Sequence, residues 1–181
     1  MLRIEIPSCA LWDEKNEEFV YTKGQTLQLE HSLISLAKWE AKWQKPFLSK
    51  QAKTMEETVD YIRCMTLSQN VDPNIYNFLT TDNLEEIFHY IESPQTATYI
   101  RDSQNRRGGR GEIVTSELIY YWMVAFGIPF ECQKWHLNRL LTLIRVCERK
   151  NQPSKKRSMR DVMRQNSSLN ASRRAKLHSK G

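Results

Sequence analysis

Residues 115–147, TSELIYYWMVAFGIPFECQKWHLNRLLTLIRVC, carry more apolar surface than one amphipathic helix pair needs. In each half of this stretch, apolar residues recur at the spacing of one helical face, which predicts two helices separated at residues 127–129. Trp135, Leu143 and Val146 lie off the stripe of the second helix. Such a helix is either central in a packed domain or keeps one face for a partner. The two stripes consist of Leu118, Ile119, Trp122, Met123 and Phe126, and of Leu137, Leu140, Leu141, Ile144 and Cys147.

Charge divides the chain of 181 residues into two parts. Residues 150–181 hold ten Lys/Arg and a single acid, Asp161, for a net +9, whereas residues 1–149 hold seventeen basic and twenty acidic residues, for a net −3. The length fits one domain with a hydrophobic core, here residues 1–150, followed by a basic flexible tail at 151–181. The high isoelectric point therefore describes the tail and not a nucleic-acid-binding fold.

The cysteines and the absence of long apolar runs indicate a reduced, cytosolic protein. Cys9, Cys64, Cys132 and Cys147 are scattered singly, and no CxxC pair occurs. The chain opens on a strand-like alternation and not on a signal peptide. No apolar run approaches the roughly 20 residues that a membrane span requires, so we expect no membrane association.

Residues 1–31 predict short strands. Apolar and polar residues alternate over 2–6, resume over 18–21 and alternate again over 26–30. Polar residues 13–16 predict one turn, and Lys23-Gly24 predicts a second. A β-hairpin or three-stranded antiparallel sheet of this size is unstable alone and must pack on helices.

Residues 32–150 predict about five helices, each with its own start and stop signals. Ser32 caps a helix that Pro46 ends, and the capping box Thr54-x-x-Glu57 opens a helix through about Ser68.

Two further helical segments follow before the long apolar stretch. Asp72-Pro73 starts a short helical turn, and Asp82-x-x-Glu85 introduces a helix that Pro94 stops. The fold class is thus α+β and mainly helical.

Two basic segments interrupt or follow this body. Residues 101–112, RDSQNRRGGRGE, predict a mobile exposed loop because three glycines and four arginines do not pack. The tail holds too little apolar residue for a core, so we expect it to be disordered or to fold on contact, with a short helix capped by Ser158-x-x-Asp161. Candidate contacts to a polyanion are Arg106, Arg107, Arg110, Lys155, Lys156, Arg157, Arg160 and Arg164.

No pattern of catalytic residues occurs, so we expect neither an enzyme nor a cofactor. The chain contains no GxSxG, P-loop, GxGxxG or HExxH motif. Cys132 and His136 have the spacing of two metal ligands on one helix, yet two ligands do not form a site, and packing explains a buried cysteine better. No metal is expected.

Surplus aromatic residues provide the candidate partner surface. Five tryptophans are many for this length, and aromatic side chains dominate interface hot spots. The aromatic rings around residues 118–146 cannot all point inward from two helices, and Met123 offers a pliable contact. The candidate partner-binding residues are Tyr120, Tyr121, Trp122, Met123, Trp135 and Leu143.

Three long segments resemble a protein family of tailed bacteriophages whose members are described as tail assembly chaperones. The segments are LWDEKNEEFVYTKGQTLQLEHSLISLAKWEAKW, TMEETVDYIRCMTLSQNVDPNIY and ECQKWHLNRLLTLIRVCERKNQPSKK. The resemblance covers nearly the whole chain in order and departs mainly at residues 101–112. It carries no motif from which individual binding residues can be transferred.

The resemblance implies a non-catalytic protein of the host cytoplasm, absent from the mature virion. Such proteins are expected to bind the long tape measure protein, keep it soluble and help tail-tube subunits polymerise around it. Self-association stays open. Two alternatives also stay open: a nucleic-acid-binding protein that uses the arginine loop and the tail, and a structural tail-completion or connector protein of the virion.

Overall fold

The computed structural model describes residues 1–13, 17–100, 113–151 and 159–177. The chain divides into two compact units, Met1–Arg149 and Lys150–Gly181. The first unit contains four strands and five α-helices among its described residues, which confirms the predicted α+β, mainly helical fold class. The elements are β1 (Leu2–Ile6), β2 (Cys9–Asp13), β3 (Glu18–Thr22), β4 (Gln25–Leu29), α1 (Leu33–Trp43), α2 (Met55–Met65), a 3-10 helix (Pro73–Phe78), α3 (Thr81–Glu92), α4 (Ser116–Ala125), a second 3-10 helix (Phe130–Lys134), α5 (Leu137–Asn151) and α6 (Met159–Leu177).

The four strands form one long antiparallel hairpin with a break in the middle. β1 pairs with β4 from Leu2↔Leu29 onward, and β2 pairs with β3 from Cys9↔Thr22 onward, in the same register. The predicted second turn at Lys23-Gly24 is therefore wrong, because the chain continues straight through this point into β4. A Cβ added at Gly24 would lie 2.9 Å from the backbone nitrogen of Ser8, so the glycine permits a close approach of the two chains.

The two halves of the hairpin differ in burial. Ile4, Ile6, Leu27 and Leu29 of the inner half are buried in the core, where they pack on the helices. In the outer half, Trp12, Phe19 and Tyr21 are exposed, and the Trp12 and Phe19 rings contact each other edge-on at a centroid distance of 5.0 Å.

Local capping signals place the first helices. The predicted caps at Ser32 and Thr54 are both confirmed as capping boxes, with Ser35 and Glu57 as their third residues. The prediction that α2 continues to about Ser68 is wrong, because the chain leaves the helix at Met65 to bond with β4.

The start predicted for α3 is also wrong. Its N-cap is Thr80, whose side chain accepts a hydrogen bond from the Asn83 backbone. The Asn83 side chain in turn accepts a hydrogen bond from the Thr80 backbone. Asp82 lies inside the first turn, where its charge favours the helix dipole.

The C-terminal unit contains the 19-residue helix α6, which is longer than the short helix predicted from Ser158. Side chains described in α6 are exposed. The predicted flexibility of the tail stays a prediction. Among all described residues, no helix combines the length and apolarity that crossing a membrane requires.

Candidate functional site: an apolar groove beside α4 and α5

Both ends of α4 are fixed by specific backbone contacts. At its start, the Thr115 hydroxyl accepts a hydrogen bond from Leu118 N, and the Glu40 carboxylate of α1 accepts one from Ser116 N at 2.7 Å. At its end, Ile128 N donates to Met123 O at 2.8 Å, and Gly127, at φ 63, donates to Val124 O. These two backbone hydrogen bonds, together with the left-handed conformation of the glycine, form the Schellman motif, which ends the helix before Pro129.

The start of α5 is anchored to the residue before the N-cap of α1 and to the C-terminal end of α3. Leu137 N donates to the His31 carbonyl at 2.7 Å, and the Asn138 side-chain amide donates to the carbonyls of Ile91 and Ser93 at 2.9 Å each. His136 Nδ1 accepts from Asn138 N at 3.3 Å, so its ring caps the helix. These bonds hold the two helices at set positions on the body.

An apolar groove of about 1090 Å³ lies beside α4 and α5. We call it the α4–α5 groove. Its apolar lining comes from α4 through Trp122 and Phe126, and from α5 through Leu141 and Ile144. Arg145 and Glu148 of α5 also line the groove. Segments outside the helices complete the lining with Leu48, Ser49, Lys50, Gln51, Ile113 and Val114.

The charged side chains that line the groove are of both signs. Lys50 and Arg145 contribute positive charge, and Glu148 contributes negative charge one helical turn from Arg145. An apolar surface with charges of both signs matches an amphipathic ligand better than a charged one, because a charged ligand would lose hydration over the apolar area.

Of the six predicted partner-binding residues, Trp122 alone lines this groove. The Tyr120 hydroxyl donates to Gln133 Oε1 at 2.9 Å, and partial burial raises the pKa of this phenol. The Arg139 guanidinium lies 4.3 Å above the Trp135 ring. Leu143 is half-buried against the core.

The prediction for Met123 is wrong. Its side chain is fully buried, because it lies on the same face of α4 as Ile119, and this face packs into the core. Tyr121, in contrast, is 65% exposed, and Val124 beside it on the outer face of α4 is also exposed. The six residues therefore do not form one surface.

The basic residues predicted to contact a polyanion divide by position. Arg160 and Arg164 lie on α6 and are exposed. Arg106, Arg107, Arg110, Lys155, Lys156 and Arg157 lie outside the described residues.

Sequence reasoning missed several groove residues. Phe126, Leu141 and Ile144 belong to the predicted apolar stripes, and their spacing could have identified them as a shared surface. Leu48 and Lys50 carry no such signal, because they reach the groove through the tertiary fold alone.

Cys132 and His136, which share a helix in the prediction but are not expected to bind a metal, lie on different elements. Cys132 lies in the second 3-10 helix, whereas His136 follows it at a β-bridge with Ser32, so the two are not on one α-helix. Within the described ranges, no group of three or more His, Cys, Asp or Glu side chains can hold a metal ion.

Comparisons with known proteins found no match to this chain among protein-family profiles, curated proteins or solved structures.

Proposed function

We propose that this protein is a non-catalytic bacteriophage tail assembly chaperone that holds helical segments of the tape measure protein in the α4–α5 groove. The observation that carries the proposal is the groove itself, a volume of about 1090 Å³ lined by Trp122, Phe126, Leu141 and Ile144. Sequence resemblance over three long segments supports the biological setting, and the groove supports the binding chemistry.

A groove of this kind suits a helix. An amphipathic helix presents apolar side chains at positions i, i+3, i+4 and i+7, and helix-in-groove recognition inserts several of them side by side. The volume lies near the upper end of the range of about 300–1,000 Å³ that is typical of small-molecule sites, so there is room for more than one side chain. The nearby Lys50 and Arg145 can pair with acidic residues on the polar flanks of such a helix.

The client expected from the resemblance has the matching chemistry. A tape measure protein is long and helical, and before assembly its apolar stripes have no partner, which makes it prone to aggregate. A chaperone that covers one stripe at a time keeps the client soluble and can release it when tail-tube subunits arrive. The proposed place of action is the host cytoplasm, with the chaperone absent from the finished virion.

The test compares two apolar-to-polar substitutions of similar size. Leu141→Gln places an amide in the groove, whereas Val124→Gln places one on the exposed outer face of α4. Burying a leucine side chain contributes about 1.5–3 kcal/mol, so Leu141→Gln should weaken binding of helical tape measure fragments by about tenfold or more. Val124→Gln should leave the affinity within about twofold.

Calorimetric titration with overlapping tape measure fragments measures both variants, and circular dichroism checks that they remain folded. Equal losses for the two variants would show that the client does not use the groove. If the unsubstituted protein ignores every fragment at tens of micromolar, the chaperone proposal fails. Detection of the protein in purified particles would instead favour a structural tail-completion or connector role.

A further inference from the structure

The exposed helix α6 carries its basic residues in an uneven arrangement. Arg160, Arg164 and Arg174 follow one another at i, i+4 and i+14, so they lie on one face of the helix. Ser167 and Ala171 occupy the intervening positions on that face. We call these five residues the arginine stripe. Arg173 and Lys176 lie on the opposite side of the helix.

The charge of α6 selects a polyanion as partner. The helix holds five Lys/Arg residues and one acid, Asp161, for a net charge of +4 over 19 residues. The whole segment 150–181 carries +9. Charge of this density on an exposed element attracts a partner of opposite sign and speeds association with it.

The composition of the arginine stripe favours phosphates over an acidic protein. Protein interfaces depend on large apolar or aromatic anchors, and none of the five stripe positions carries one. Ser167 and Ala171 are small, which allows close approach of the helix to its ligand. Arginine forks match phosphate oxygens bidentately, and serine hydroxyls are common donors to phosphates.

The dimensions of α6 fit the major groove of duplex DNA. The groove is about 12 Å wide and admits one α-helix. A helix of 19 residues is about 28 Å long, and the arginine stripe covers about 21 Å of it. Phosphates of one DNA strand follow each other at about 3.4 Å along the axis, so the stripe can reach several of them.

We propose that the arginine stripe of α6 binds the phosphate backbone of duplex DNA without sequence preference. This activity is independent of the α4–α5 groove and of the client proposed for it. Each phosphate contact contributes a slope of about −0.9 to the dependence of log affinity on log salt concentration. Contacts from Arg164 and Arg174 therefore give a slope of about −1.8, or roughly a 12-fold loss of affinity between 50 and 200 mM salt.

The experiment uses the full chain and a fluorescent duplex of arbitrary sequence, with anisotropy measured over a salt series. Arg164→Gln/Arg174→Gln removes two stripe arginines, and Arg173→Gln/Lys176→Gln removes the same charge from the opposite side of the same helix. The stripe variant should reduce the magnitude of the salt slope by about 1.8, and the matched variant should reduce it by less than half of that. Arg164→Lys/Arg174→Lys should restore the slope, because lysine keeps the charge.

Several results would overturn the proposal. Equal effects of the two glutamine variants would show that net charge and not the arginine stripe binds DNA. Displacement of the duplex by polyglutamate at equal charge would assign the stripe to an acidic protein. Stronger binding to anionic vesicles than to DNA would assign it to a membrane surface, and absence of binding at 50 mM salt would remove the site altogether. Circular dichroism of the variants confirms that each retains its helix content.

Discussion

A buried histidine pair makes the stability of this fold depend on pH between about pH 7 and pH 5. His31 and His136 are both buried, and their ring centroids lie 5.1 Å apart. His31 Nδ1 is hydrogen bonded to Tyr61 Oη at 2.6 Å, and His136 Nε2–H donates to the Tyr90 carbonyl at 3.1 Å. Since His136 Nδ1 accepts from Asn138 N, the His136 ring is held in its neutral form.

Burial, followed by repulsion from His136, lowers the pKa of His31 from 6.5 to about 3. Burial is also the largest cause that lowers the pKa of His136, where the Tyr90 carbonyl and Glu30 oppose it and the N-terminal amine reinforces it. Below pH 6.5 the unfolded chain therefore binds protons that the folded chain does not bind, so stability falls as the pH falls.

The size of the effect follows from the pKa difference. Between the unfolded and folded pKa values, each unit by which the pH falls lowers the free energy of unfolding by about 1.36 kcal/mol. His31 alone therefore lowers it by about 2 kcal/mol between about pH 7 and pH 5. His136 adds to this loss. Glu57, Asp60 and Glu117 have lowered pKa values, so their contributions are lost only at more acidic pH.

Urea denaturation at three pH values between 7 and 5 measures this slope. In His31→Asn, the free energy of unfolding should change by about 2 kcal/mol less across this range than in the parent chain. His89→Gln is the matched control, because His89 is exposed on α3, and it should keep the parent slope. If His31→Asn and His89→Gln show the same pH dependence, the buried ring is not the group that titrates and the reasoning is refuted.

Two further substitutions test the contacts that shape the body. Glu40 is buried and accepts hydrogen bonds from Phe47 N and Ser116 N, so Glu40→Ala should cost about 3 kcal/mol in urea denaturation, while Glu40→Gln, which keeps one acceptor oxygen, should cost less. A Glu40→Ala loss under about 1 kcal/mol would mean that water replaces the carboxylate. Gly24→Ala places a methyl group 2.9 Å from Ser8 N and should destabilise the hairpin by about 1–3 kcal/mol, measured by thermal unfolding; an unchanged Tm would contradict the close approach.

Elements with local signals were predictable from the sequence. The caps at Ser32 and Thr54 depend on residues three positions apart, so a single turn of helix contains the whole signal. The start of α3 was missed because its box uses Asn83 as third residue, and the pattern with Glu85 two residues later competed with it. Both patterns place a short polar side chain three residues before a side chain that can accept a hydrogen bond, and the sequence alone does not choose between them.

Features that depend on pairing across the chain were not predictable. The sequence predicts a turn at Gly24, because glycine marks turns more often than a close approach between strands. Its neighbour Ser8 is sixteen residues away in sequence and becomes a neighbour only through the hairpin register. The same limitation applies to Leu48, which reaches the groove from the segment after α1.

The orientation of α4 explains why Trp122 lines the groove whereas Met123 is buried in the core. Nearly every position from Leu118 to Phe126 is apolar or aromatic, so the periodic signal that selects a buried face is weak. Successive residues are about 100° apart around a helix, so a rotation of α4 by about 100° about its own axis would bury Trp122 in the core in place of Met123. The contacts of Ser116 with α1 set that rotation, and they lie outside the apolar pattern.

Both helices beside the groove take their positions from the region of α1. Glu40 holds the start of α4 through Ser116 N, and the His31 carbonyl holds the start of α5 through Leu137 N. These bonds act on backbone groups at helix N-termini, which would otherwise be unsatisfied, so they fix helix position without using the apolar side chains. Trp122 and Leu141 can therefore line the groove, because α4 and α5 are attached to the body by these backbone hydrogen bonds and not by packing across the groove. In the client-binding role proposed above, filling or emptying the groove would leave these anchoring bonds intact.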